Sequence, residues 1–248
     1  VDEEDIVDDE SFDQAYFLKR VAESPNCPKS SCPSPERYME AYDCEADHVY
    51  AVTLSSELSG SYNSAVLGRN LLLESQPEKK IHIFNSRSAS VGETLIALKI
   101  EECESKDMEF EDIVREVDAY IESQNTYFVL ESLETLRKNG RLSNLKAFVA
   151  TALKIKPVMG ATPEGTIIQL DQARGINKAL MKMVDYIVER SADSADRILG
   201  ISHCNCRERA EIVRDAILKR IPVKDVVLLD TAGVSSMYAN DGGVIITA

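Results

Sequence analysis

The sequence T-L-S-S-E-L-S-G-S-Y-N-S-A, residues 53–65, decides the fold because it joins a predicted strand to a predicted helix. Residues 48–54 are mostly apolar and rich in β-branched side chains, which is typical of a buried strand, whereas residues 62–73 carry apolar side chains at helical spacing. Gly60 leaves the backbone accessible to a ligand, and the N–H groups of a first helical turn favour an anion. Four hydroxyls lie in this turn, those of Ser55, Ser56, Ser59 and Ser61.

Two interpretations of this turn stay open on the residues alone. The hydroxyls could bind a carboxylate or phosphate, or they could only cap the helix and its turn. A second polar loop, N-S-R-S-A-S at residues 85–90, follows a predicted strand at residues 81–84. Because loops at the carboxyl ends of neighbouring parallel strands meet at a ligand crevice, this loop, which includes Ser86, favours a binding site.

Composition narrows the class of protein. The 248 residues, 44% hydrophobic and 28% charged, are typical of a globular protein with one large or two moderate domains. The formal net charge of −14 disfavours binding to nucleic acid and to anionic membranes. Since there is no run of about 18 apolar residues and the start is acidic, we expect a cytoplasmic protein without stable membrane insertion. Six cysteines are too few for a disulfide scaffold and should be free thiols.

The first half of the chain, residues 1–124, predicts an open α/β (Rossmann-like) domain. Ser11 is expected to cap a helix over residues 12–23, and Ser34 and Pro35 begin a second helix after a proline-rich loop. Beyond the two strands, further helices are predicted at residues 91–103 and 110–121.

The second half, residues 125–248, predicts a two-layer α+β domain. A short helix should end at Asn139-Gly140, and a turn at residues 163–165 should connect a hairpin. The predicted strands lie at residues 127–130, 155–159, 166–170, 198–202, 226–229 and 244–247. The predicted helices lie at residues 177–190 and 207–220.

Three further motifs accompany residues 53–65: P-K-S-S-C-P-S-P at 28–35, K-N-G-R-L-S at 138–143 and K-I-K-P at 154–157. With them the sequence resembles, nearly end to end, the DegV family of bacterial fatty-acid-binding proteins, whose motifs typically read P-K-T-S-Q-P-S-P and L-S-S-x-L-S-G-T-Y. The resemblance implies two domains with an acyl ligand between them. It also implies a non-enzymatic carrier that binds a long-chain fatty acid, without another cofactor, and presents its carboxylate to a separate fatty-acid kinase. The family's opening strand has no counterpart here, so the chain is expected to be truncated at its start.

The resemblance also assigns site residues. It implies that the hydroxyls of Ser30 and Ser59 hydrogen-bond the carboxylate, and that Arg174 lies near the head group or a docking face. Tyr238 stands where the family usually has histidine, and Asn85 where it more often has aspartate. The predicted ligand-binding set is Ser30, Ser56, Ser59, Gly60, Ser86, Arg174 and Tyr238, without catalytic residues or metal ligands. Candidate lipid-facing residues are Phe148, Val149, Leu153, Val158 and Met159.

Other functions compete with this one. A small-molecule hydrolase or phosphotransferase could use a loop serine as nucleophile, but the sequence has no G-x-S-x-G elbow and no phosphate-binding P-loop motif. A regulatory module that senses lipid without a kinase would differ from the carrier only in its partner. The run S-H-C-N-C at residues 202–206 lacks metal-ligand spacing and is expected to be a strand end followed by a helix start.

Overall fold

A computed structural model of the chain describes residues 1–142, 154–190 and 194–248. The helices in these ranges are α1 (Gln14–Glu23), α2 (Pro35–Tyr42), α3 (Ser61–Ser75), α4 (Val91–Glu104), α5 (Phe110–Ser123), α6 (Glu134–Lys138), α7 (Ile176–Arg190), α8 (Arg207–Leu218) and α9 (Gly233–Ala239). The strands are β1 (His48–Thr53), β2 (Lys80–Asn85), β3 (Thr126–Val129), β4 (Ile155–Ala161), β5 (Ile167–Arg174), β6 (Ile198–His203), β7 (Asp225–Asp230) and β8 (Val244–Thr247). A 3₁₀ turn covers Ser194–Asp196.

The chain divides into two compact units. Unit 1 contains Val1–Ser30, Asn125–Thr162 and Ile167–Ala248, and unit 2 contains Ser31–Gln124 and Pro163–Thr166. The predicted boundary between residues 124 and 125 is therefore one of the places where the chain passes from one unit to the other.

Unit 2 is the α/β domain that residues 53–65 predict. Its strands β1 and β2 pair in parallel, with Thr53 opposite Asn85, so the two polar loops leave the sheet side by side. Helix α3 packs on α2 and on both strands. Phe84 and Ile96 are buried in a core that α5 completes.

Unit 1 is built on a mixed sheet. Its described strands follow the order β5-β4-β3-β8-β6-β7, in which β6 and β7 are parallel and the other neighbours antiparallel. Helices α7 and α8 contact each other and pack against this sheet around a core that includes Met183, Ile201 and Ile246. This is the predicted α+β arrangement, including the β4–β5 hairpin.

The first 30 residues belong to unit 1, whereas the sequence predicts that they belong to the N-terminal domain. Long-range hydrogen bonds explain the difference. Both carboxylate oxygens of Asp8 accept from the first turn of α9, from the N–H of Gly233 at 2.6 Å and of Val234 at 2.8 Å. The Gln14 amide donates to the carbonyl oxygen of Thr231 at 2.9 Å.

Two local predictions at helix ends have opposite outcomes. The cap of α1 is Asp13, whose side chain accepts from the N–H of Tyr16, so the prediction of Ser11 is wrong. The Ser11 hydroxyl instead donates to Asp9. At α2, Ser34 caps the helix and Pro35 opens it, as predicted. Helix α9 was not predicted.

The stripe of lipid-facing candidates falls partly outside the described residues. Phe148, Val149 and Leu153 lie there. Val158 and Met159 lie on β4 with 0% exposure, and Val158 packs in the core of unit 1. None of the helices in the described ranges combines the length and apolar character that a bilayer span requires.

Candidate functional site

The serine loop, residues 54–60, connects β1 to α3, and its first serine is structural. Ser55 has 0% exposure, and its hydroxyl donates to the carbonyl oxygen of Gly165 at 2.9 Å. The Ser55 hydroxyl oxygen also accepts from the N–H of Glu57 at 3.3 Å, and the Ser55 N–H donates to the carbonyl oxygen of Ser88 at 2.9 Å. Ser55 thus joins the serine loop to the hairpin turn and to the loop after β2.

Ser56 is half-buried and pairs with Asn85 at the end of β2. The Ser56 N–H donates to Asn85 Oδ1 at 3.1 Å, and Asn85 Nδ2 donates to the Ser56 hydroxyl oxygen at 2.8 Å. This reciprocal pair connects the two polar loops. In the sequence, Asn85 stands out only because the family more often has a charged aspartate at this position. Its pairing with Ser56 was not predicted.

Ser59 lies at the start of α3. Its oxygen accepts from the N–H of Ser61 at 3.2 Å, and the two hydroxyl oxygens are 2.9 Å apart. Ser59 therefore stabilises the turn that leads into α3, whose N-cap residue is Gly60, and it stays half-buried beside the first helical turn. A helix start with hydroxyls favours an anion there.

Gly60 is not required by the local backbone. Its φ of −73° is ordinary for any residue, and a Cβ at this position would lie 3.4 Å from Cys32 Sγ, which is normal contact distance. What the glycine contributes is an uncovered helix start. Close approach of a ligand to Gly60 stays a prediction.

Ser86 is buried, with 1% exposure. Its hydroxyl donates to the carbonyl oxygen of Ser88 at 3.1 Å and accepts from the Ser88 N–H at 3.0 Å. Both bonds stay inside the second loop. In this arrangement the Ser86 hydroxyl has no proton to offer a ligand, and its geometry is that of a turn-forming serine.

Unit 1 brings together two predicted residues that are 208 positions apart. The oxygens of the Ser30 hydroxyl and the Tyr238 phenol are 3.1 Å apart, and the Arg141 guanidinium lies 5.6 Å from the centre of the Tyr238 ring. Asn139 holds the proline-rich segment by donating to the carbonyl oxygen of Pro28 at 3.1 Å. The segment that carries Ser30 and the helix that carries Tyr238 thus meet, although Tyr238 replaces the histidine that the resemblance expects.

Arg174 lies in a different part of unit 1. It ends β5 opposite Ile155 and lines a shallow groove of about 580 Å³ together with Lys178 and Met181 of α7. Within the described ranges the Arg174 side chain makes no hydrogen bond or ion pair. The groove includes neither Ser30 nor Tyr238.

The run at residues 202–206 forms the predicted strand end and helix start, because β6 ends at His203 and α8 begins at Arg207. Burial raises the pKa of the Cys206 thiol to about 11, which keeps it protonated near neutral pH. Burial also lowers the pKa of His203, although Asp230 opposes this shift. In the part of the chain that the structure describes, no cluster of three metal-ligating side chains occurs.

Comparisons with known proteins agree with this architecture. Residues 1–248 match the model of the DegV family, which is described as a family of uncharacterised proteins. A DegV family protein from Ruminococcus gnavus, whose crystal structure was refined with vaccenic acid, is 56% identical, with a TM-score of 0.97 over 100% of this chain and 88% of that one. The Streptococcus pneumoniae Fatty Acid Kinase (Fak) B3 protein, loaded with linoleic acid, is 33% identical, with a TM-score of 0.91 over 99% of this chain and 86% of that one.

A third relative comes from the curated proteins. A DegV domain-containing protein of Streptococcus pneumoniae is 34% identical over 243 residues, which is 97% of this chain and 84% of the relative. The family model and these relatives cover both units. The chain belongs to the DegV family.

Proposed function

We propose that this protein binds a long-chain fatty acid and presents its carboxylate to a separate fatty-acid kinase, without catalysis of its own. The observation that carries this proposal is the vaccenic acid in the Ruminococcus gnavus structure, since that protein is 56% identical to this chain and matches the whole length of this chain. The kinase as partner is supported by the similarity to the Fak B3 protein. In keeping with the acidic composition, we place this carrier in the cytoplasm, without nucleic acid or stable membrane insertion.

In unit 2 the carboxylate would be bound by the serine loop and the start of α3. Ser56 and Ser59 are both half-buried there, and Gly60 leaves the first helical turn uncovered. Ser55 and Ser86 hold the two loops in place through hydroxyl bonds that are already made. Ser30 and Tyr238, with their hydroxyl pair, and Arg174, with its guanidinium, remain proposed contacts of the head group.

The acyl chain supplies most of the binding energy. Burial of about fifteen methylenes at ~0.8 kcal/mol each gives roughly 12 kcal/mol before ordering costs. The costs of association reduce this to micromolar affinity or better. Native mass spectrometry of protein purified from cells should therefore show a fixed mass increment from a bound fatty acid.

The rival hydrolase has little support in unit 2. Its two histidines are His48, the first residue of β1, and His82, the third residue of β2, whereas the serine loop follows the end of β1. His48 also hydrogen-bonds to Glu104, with 2.7 Å between Nδ1 and Oε1. Within this unit no histidine is placed as a base for the loop serines. Ester or phosphate-ester turnover that disappears in a Ser56→Ala or Ser59→Ala variant would replace the carrier by an enzyme.

The sharpest test of the carboxylate site is Ser59→Ala. A hydrogen bond to a charged group contributes roughly 1.5–3 kcal/mol, so vaccenic acid should bind about 10- to 150-fold more weakly. The matching fatty alcohol, which lacks the charge, should lose much less. Because Ser59 accepts from the Ser61 N–H, the variant should also lose about 1 kcal/mol of folding stability.

The matched control is Ser75→Ala, at the other end of α3, where the hydroxyl donates to the Leu72 carbonyl oxygen. It should leave the affinity for both ligands unchanged. Calorimetry on delipidated protein measures the affinities of the native protein and of both variants for the two ligands, six in all. If Ser59→Ala weakens acid and alcohol equally, Ser59 is only a helix cap and the carboxylate binds elsewhere.

A further inference from the structure

The side-chain amide of Asn85 has a fixed orientation. Its Oδ1 accepts from the N–H of Ser56 at 3.1 Å and from the N–H of Arg87 at 3.2 Å. Backbone N–H groups only donate, and an amide nitrogen cannot accept from them. The oxygen of Asn85 must therefore face both backbone groups, and the NH₂ group takes the other side.

This orientation determines the direction of the Ser56 hydroxyl. Asn85 Nδ2 lies 2.8 Å from the Ser56 oxygen, and since the NH₂ group only donates, the hydroxyl oxygen accepts. The proton of the hydroxyl then points away from Asn85. Within the described ranges the structure gives this proton no acceptor, although Ser56 is only half-buried. A donor is thus left available on the serine loop.

We propose that Asn85 is a positioning residue that keeps the Ser56 hydroxyl as a donor toward an ionised carboxylate, and that this pair selects fatty acids over fatty alcohols. The inference rests on the proposed function and adds to it the residue that determines head-group specificity. A hydroxyl that donates to an anion gains more than one that donates to a neutral oxygen, because charge-assisted hydrogen bonds are roughly twice as strong.

The substitution that reverses this polarity is Asn85→Asp. An ionised aspartate only accepts, so one oxygen keeps both backbone N–H bonds while the other accepts the Ser56 hydroxyl proton. The hydroxyl then has no proton for the ligand. The variant should fold, because both backbone groups keep their partner.

The test is a double-mutant cycle with vaccenic acid and the matching alcohol as probes, measured by calorimetry on delipidated full-length protein. In the native background, Ser56→Ala should weaken binding of the acid roughly 10-fold or more and that of the alcohol much less. In the Asn85→Asp background, the same substitution should change the affinity for the acid by less than about 3-fold, since the proton is already bound. Ser75→Ala serves as control in both backgrounds.

Each outcome decides the inference. It is overturned if Ser56→Ala affects acid and alcohol equally, if its effect on the acid is the same in both backgrounds, or if Asn85→Asp does not fold. Failure of the native protein to bind any fatty acid would instead overturn the proposed function. If the native protein binds the fatty acid and Ser56→Ala does not change the affinity, the proposed function stands and only the role of the Asn85–Ser56 pair is refuted.

Discussion

Replacement of Gly165 by alanine tests how the serine loop is held. Gly165 has a φ of +93°, and a Cβ there would lie 2.3 Å from the Ser55 hydroxyl oxygen and 2.8 Å from the Arg87 Cα. Both distances are far below van der Waals contact. Since the Gly165 carbonyl oxygen also accepts the Ser55 hydroxyl proton, relief of the overlap would break that bond or move the serine loop.

The expected loss of stability in Gly165→Ala has two parts. A left-handed backbone costs a non-glycine residue roughly 1–2 kcal/mol, and overpacking against a closely packed neighbour costs about 1–3 kcal/mol more. Gly165→Ala should therefore lose roughly 2–5 kcal/mol of the free energy of unfolding. Gly175→Ala is the matched control, because Gly175 has a φ of +90° but nothing within 4 Å of its Cβ position, so it loses only the first part.

Urea unfolding of the two variants measures the difference, and calorimetry measures binding of vaccenic acid to Gly165→Ala. Because Ser55 immediately precedes Ser56, displacement of the loop should weaken fatty-acid binding as well. Equal stability losses in the two variants would refute the reasoning that the Pro163–Thr166 turn packs tightly on the serine loop. An extra stability loss with unchanged affinity would show that the serine loop does not contact the ligand.

Two further predictions concern unit 1. Asp8→Ala removes the acceptor for the N–H groups of Gly233 and Val234 and should lower the free energy of unfolding by about 1 kcal/mol, a fall of ~2–4 °C in the thermal midpoint. The control is Asp9→Ala, which should lose less stability because the partner of Asp9 is the exposed Ser11. Equal losses in the two variants would contradict the capping of α9 by Asp8. Burial lowers the pKa of His203 from 6.5, so as the pH falls below about 6.5 the unfolded chain takes up a proton first and stability declines. Urea unfolding between about pH 8 and pH 5 should show a smaller decline in His203→Gln, and identical slopes would exclude His203 as the cause.

Local sequence patterns were sufficient to predict the strands and helices around the site. The β-branched run before residue 54 and the helical spacing after residue 61 predicted β1 and α3, because side-chain periodicity depends only on neighbours along the chain. Ser34-Pro35 likewise predicted the start of α2, and Asn139-Gly140 the end of α6, where Gly140 has a φ of +77°.

Long-range contacts decided what these patterns could not. Ser11 and Asp13 are both good capping residues, and the sequence does not say which of them the helix uses. The membership of the first 30 residues in unit 1 depends on bonds such as that of Asp8 to Gly233, 225 positions away. Helix α9 is only seven residues long, and its first turn is capped by that distant carboxylate, so local periodicity gives it little signal.

The sequence by itself determined the family, the two fold types and a loop rich in hydroxyls. Only the tertiary structure decided what each hydroxyl does. Ser55 and Ser86 look like Ser56 in the sequence, yet their hydroxyl protons are bound by the carbonyl oxygens of Gly165 and Ser88. Asn85 instead donates to the Ser56 oxygen, which leaves the Ser56 hydroxyl proton available. A hydroxyl donates or accepts according to the partner it meets, and here the partners of Ser55 and Ser56 come from segments 110 and 29 positions away in the chain.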